Sequence, residues 1–152
     1  MNRQTYYNVI EEKLSQLSFR IKIRGGLNIL DLNLHSENFY LHLLNLLFGW
    51  KLQNLNAEQK NAAGVDLFDT TNKLIVQVSS TATKQKIESA LSKDLSKYKG
   101  YTFKFISISK DATTLKARKF SNPPHLKFLP DTDILDVSSL LGFIGAMNID
   151  QL

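Results

Sequence analysis

Two strand-like runs with a helix between them constrain this chain more than any other feature. Leu74–Ser79 (LIVQVS) and Tyr101–Ser109 (YTFKFISIS) are rich in β-branched and aromatic residues, and the second alternates as a strand does. Residues 83–99 place Ile87, Ala90, Leu91, Leu95 and Tyr98 on one helical face, with Gly100 just beyond. Strand, helix and strand in that order make a βαβ unit, parallel and right-handed. A further run, Val65–Phe68, precedes the turn-forming stretch Asp69-Thr70-Thr71-Asn72-Lys73, so a β-hairpin leads into the unit. The predicted fold is α/β: a central mixed sheet, hairpin plus βαβ, flanked by helices in a sandwich.

Outside this centre the signals are shorter. Val9, Ile10, Leu14 and Leu17 predict an amphipathic helix within residues 4–20, broken by Gly25-Gly26. Ser36 is placed to cap a second helix running to Phe48, with Gly49 at its stop. Residues 50–55 read as a strand, 56–64 as a loop, and 111–120 as weakly helical. Short strand-like pieces at 126–129 and 134–137 flank Pro130, and Ser138 or Ser139 opens a last helix through Met147.

The 152 residues suit one domain, 1–152, either whole or as the N-terminal part of a longer protein. There is no cysteine, which excludes disulfides, thiolate metal sites and cysteine nucleophiles. His35, His42 and His125 show no metal-ligand spacing. The net charge of +5 suits contact with a polyanion. No apolar run reaches transmembrane length, so no membrane is expected, and the acid-containing start predicts a cytoplasmic protein rather than a secreted one.

Against this background two polar residues stand out. Asp66 lies in an apolar strand and Gln77 at the centre of the next, and each is costly to bury without a partner. Hairpin pairing brings them to neighbouring strands. Asp66 read blandly is a strand-edge acid paired with a lysine, and Gln77 a buried amide satisfied by backbone. Ser79, Ser80 and Thr83 are either a strand end and helix cap or contacts for phosphate at a helix N-terminus. Lys84 and Glu88 are spaced for an ion pair. Lys110, Lys116, Arg118 and Lys119, and Arg20, Lys22 and Arg24, are solvated surface or a basic face toward DNA. Asp131, Asp133 and Asp136 read as turn and cap acids.

The stretches Leu47-Phe48-Gly49-Trp50, Gly64-Val65-Asp66 and Val76-Gln77-Val78-Ser79 together resemble the PD-(D/E)xK, restriction-endonuclease-like superfamily, locally its Mrr-type nucleases. More narrowly, GVDL, QVSS and the pair Lys86-Ile87 resemble the SMEK domain, an N-terminal module of bacterial conflict and phage-defence proteins. The resemblance covers residues 36 to 109. It implies a nuclease of antiphage defence that hydrolyses phosphodiester bonds, in DNA ahead of RNA, with Mg²⁺ or Mn²⁺. Asp66, the Gln77 side-chain oxygen and the Val78 carbonyl would hold the cation, which activates water and neutralises phosphate charge. Ser79 stands where the family has a lysine, so Lys86 or Lys84 would supply the positive charge, with Glu37 as the helix acid. Ser79, Ser80 and Thr83 would meet the nucleic acid. A C-terminal sensor or NTPase region, or a second copy of the chain, is the implied partner. The alternative is an inactive relative of the same fold that binds nucleic acid or protein; the missing lysine favours it. A plain assembly module is a third reading.

Overall fold

The computed structural model describes residues 4–5, 7–12, 29–54, 65–93, 95–108 and 111–146, with only the backbone of 29–36. The Gly25-Gly26 break, the basic residues Arg20, Lys22, Arg24 and Lys110, and the 56–64 loop lie outside them.

A five-stranded mixed sheet forms the centre, in the order β1-β2-β3-β4-β5. The strands are β1 (Gln53–Asn54), β2 (Leu67–Asp69), β3 (Leu74–Ser79), β4 (Thr102–Ser107) and β5 (Ile134–Leu135). β1, β2 and β3 are antiparallel neighbours, whereas β4 and β5 add in parallel. The expected hairpin and parallel βαβ pair are therefore present. Helices α1 (residues 7–12, with 4 and 5 also helical), α2 (Ile29–Phe48), α3 (Lys84–Leu91) and α6 (Val137–Ala146), and the single turns α4 (Thr113–Lys116) and α5 (Pro130–Asp133), complete the chain.

Alternation along β3 and β4 splits the core between the sheet's two faces. Ile75, Phe103 and Phe105 pack with Ile87, Ala90 and Leu91 of α3. Val76, Ile106 and Ile108 pack with Tyr40, Leu43 and Leu44 of α2 and Leu140 of α6. These two layers are the physical content of an α/β fold, since each sheet face must be covered by an apolar helix stripe.

Three boundaries differ from expectation. Helix α2 spans Ile29–Phe48, so Ser36 lies inside it rather than at its start. The helix expected over 83–99 stops at Leu91, and a 3-10 turn follows at Ser96–Tyr98. The Ser92 hydroxyl donates to the Ser89 carbonyl (2.8 Å) at this end, the local competition with helix that serine offers. Leu95 and Tyr98 are still buried, which explains why the apolar pattern ran on. The 50–55 strand is reduced to two residues.

Candidate functional site

Asp66 sits where β2 leaves the ladder. Its N–H donates to the Val76 carbonyl (2.9 Å), and its Oδ2 accepts from the Val78 N–H (2.8 Å). The side chain thus takes the place of backbone at the end of the β2–β3 pair. Across from it, α2 lies over the sheet and carries Glu37 on the turn before Tyr40 and Leu44, two of the best-buried residues of the chain. Glu37 is consequently drawn inside, at 7% exposure, and its side chain hydrogen-bonds Asp66. Neighbouring Asn38 faces outward and pairs loosely with Asn54 (3.5 Å). The helix acid brought to Asp66 is Glu37.

Burial pushes the Asp66 carboxyl above its ordinary range, while the Val78 N–H, the Glu37 side chain and the Lys86 charge pull in the opposite direction. Two carboxyls in one buried place favour holding a proton between them. Lys86 lies on the exposed side of α3 and reaches the site through its charge.

Gln77 is 93% buried, and its Oε1 has no hydrogen-bond partner among the described residues. Its register opposite Phe105 places it on the sheet face of Ile75, the α3 side. The Tyr40 hydroxyl is likewise buried without a partner among the described residues, and burial holds its phenol well above the usual value. Unsatisfied buried polar atoms are rare in folded proteins, and each calls for a water, an ion or a role.

Of the remaining expected site residues, Ser79 and Thr83 meet local backbone and Lys84 a neighbouring side chain. Ser79 Oγ accepts from the Thr81 N–H (3.0 Å). Thr83 caps α3, its hydroxyl accepting from the Lys86 N–H (3.1 Å). Lys84 pairs with Glu88 at 3.5 Å, as its spacing predicted. Ser80 closes the strand end before this cap. Asp136 accepts from Ala112 and from both donors of Ser139, and Asp133 accepts from the Leu129 N–H, so both are turn and cap acids as expected.

For a cation, the fit is partial. No cluster of three His, Asp or Glu side chains assembles among the described residues. Two carboxylates, Glu37 and Asp66, do converge, and magnesium is commonly held by one or two carboxylates with water.

One family model matches residues 9–145, that of the SMEK domain. The chain belongs to the SMEK domain family. Comparison with curated proteins and with solved structures returned no significant match. The family match corrects the functional expectation drawn from the short motifs. It spans the chain from α1 to α6 rather than a 36–109 core, and it brings no sign of a bacterial PD-(D/E)xK module, of nuclease activity, of antiviral defence or of DNA binding. The physical reason for the difference is that a hairpin sets any residues of its two strands side by side, and adjacency alone does not make the pair catalytic. The missing positive charge at Ser79 belongs with that correction.

Sequence reasoning passed over a different surface of this SMEK domain. Helix α6 has no charged residue between Val137 and Ala146, yet Ser138, Gly142, Phe143, Gly145 and Ala146 are exposed. Phe143, at 46% exposure, is held edge-on against Phe48 at the end of α2 (5.0 Å between ring centres, 82°). The signal available in the sequence was the ten-residue run without charge, which reads as a buried helix and is not one.

Proposed function

We propose that this SMEK domain is a regulatory, protein-binding domain, and that the outer face of α6 is where a protein partner docks. The observation carrying this is the exposed, charge-free α6 with Phe143 on it. A surface helix ordinarily turns charged or polar residues to water, and exposed apolar patches on soluble domains mark interaction sites. A peptide library displayed on phage, selected on the immobilised domain, tests it. Recovered peptides are then measured by fluorescence polarisation against wild type and Phe143→Ser. A drop of about tenfold or more with Phe143→Ser is expected of an aromatic anchor. Peptides indifferent to Phe143, or no peptides at all, sink the reading.

A second reading rests on the Glu37–Asp66 contact. In it, the pair holds Mg²⁺ or Mn²⁺ with the Val78 carbonyl, and the cation ties α2 to the hairpin. Calorimetric titration of Mn²⁺ into wild type and Asp66→Ala decides this: heat that vanishes with Asp66 supports it, and no heat in the wild type removes it. The layering of helices on a hairpin-plus-βαβ sheet supports a restriction-endonuclease-like sandwich as architecture. No helix among the described residues is long and apolar enough to cross a membrane, in keeping with a proposed place in the cytoplasm.

A further inference from the structure

A groove of about 500 Å³ opens at the other end of the sheet, where β3 and β4 begin. Trp50, Leu74, Lys104, Lys127, Leu129 and Asp133 line it. Trp50 is half-buried, stacked on Phe48 at 4.6 Å, with the Lys104 ammonium 5.6 Å from its ring centre. Leu129 is 66% exposed, the most exposed large apolar side chain among the described residues.

Charge around this groove is one-sided. Lys127 projects to solvent while its backbone is fixed, its N–H and carbonyl bonding Tyr101 and Phe103. Lys51 and Lys73 are also exposed at this end: the Lys51 N–H binds Asp69, and the Lys73 carbonyl accepts from Thr102, a lining residue. Two of the nearby carboxylates are turned inward, and a third, Asp131 on the turn α5, is exposed. Asp133 pairs with Lys104 at 2.8 Å and accepts from Leu129, and Asp69 is wholly buried among four donors. Asp133 and Asp69 offer no charge to water, and the exposed Lys51, Lys73 and Lys127 outnumber Asp131, so the outward field is net positive.

We infer that this groove binds an acidic peptide segment bearing one aliphatic residue, its side chain seated between Trp50 and Leu129 and its carboxylates facing Lys127, Lys51 and Lys73. The inference goes beyond the α6 face, which the groove adjoins through Phe48, a ring that touches both Trp50 and Phe143. A partner with opposite charge and an apolar anchor matches both halves of the site, and the complementary charges set register and association rate.

Trp50 is the only tryptophan of the chain, so its emission reports on the groove directly. The probe is a nine-residue peptide of Glu and Asp with a central Leu, titrated at low salt into wild type, Lys127→Glu and Leu129→Ser. Both substituted side chains are exposed, so the fold is retained. A saturable emission change that weakens about tenfold with Lys127→Glu, and also falls with Leu129→Ser, is expected. Three results overturn the proposal: no saturable change, a change insensitive to Lys127, or equal binding of the same peptide with Gly in place of Leu. A short single-stranded DNA that binds with the same Lys127 dependence also overturns it, by showing a general polyanion surface. Because Phe48 joins Trp50 to Phe143, the same titration into Phe143→Ser keeps the two readings apart: binding in this groove survives there with its Lys127 dependence, and loss of binding overturns the groove assignment.

Discussion

Asp66 precedes the three-residue strand β2 and Asp69 ends it, and the chain treats them in opposite ways. Asp69 is completely buried, and its two oxygens accept from the N–H groups of Lys51, Thr71 and Asn72 and from the Asn72 side chain, at 2.7 to 2.9 Å. Burial alone would raise its pKa, but the Asn72 side chain and these N–H groups outweigh it and leave the carboxyl below its ordinary value. Asp66 is also withdrawn from water, but beside a second acid, with one backbone donor, and its pKa is raised. Burial does not tell a structural acid from a functional candidate. The balance of donors against burial does, and that balance marks Asp66 rather than Asp69 as the unsettled position.

The contrast can be broken by substitution. Asp69→Ala strands buried N–H groups on both sides of the hairpin, and urea unfolding is expected to show a loss of about 3 kcal/mol. Asp66→Asn keeps an acceptor for Val78 and removes a carboxylate from beside Glu37. At neutral pH it is expected to leave stability unchanged or to raise it by up to about 1 kcal/mol. A loss as large as that of Asp69→Ala erases the distinction.

The pH dependence sharpens it, because the signs are opposite. Asp69 has a depressed folded pKa, so its contribution is present above the ordinary carboxylate value and is lost as pH falls through the folded one. Asp66 has a raised folded pKa, so its contribution is complete below the ordinary value and is lost as pH rises through the folded one. Unfolding measured from pH 3 to 7 should show the deficit of Asp69→Asn shrinking in acid, and any advantage of Asp66→Asn shrinking there too. Smaller effects follow outward from the two acids. Asn72→Ala removes one side-chain donor to Asp69 and is expected to cost about 1 kcal/mol. Lys86→Ala touches Asp66 only through an exposed charge, and a few tenths of a kcal/mol by thermal unfolding is the expected size.

The central strands and the helix between them were legible because their apolar periods are long and agree with the local propensities. Asp66 and Glu37 were legible as a pair only through the family resemblance, and the structure does bring them together. What they do was not legible, because an acid in a strand looks the same whether its neighbours satisfy it or not. Asp69 was passed over as a turn residue, although Asp followed by Asn three positions later is how such a turn binds its own backbone. Phe143, Trp50 and Leu129 were missed for another reason: apolar residues near helix and strand ends read as core, and only the fold shows which of them face water.

The parallel ladder between β3 and β4 sets residue 74 opposite residue 102 and residue 79 opposite residue 107. No local turn can zip these strands, so the chain must close a long excursion before their pairing begins to be rewarded. The hairpin and α3 have local partners and can form early, while the sheet's middle waits. Once closed, that middle should be the slowest to exchange its amide hydrogens, and the two-residue strands β1 and β5 the first to open. Asp66 hangs from the slow side of that boundary, through its bonds to Val76 and Val78, and its partner Glu37 comes from α2, whose Tyr40 and Leu44 are buried against the same sheet.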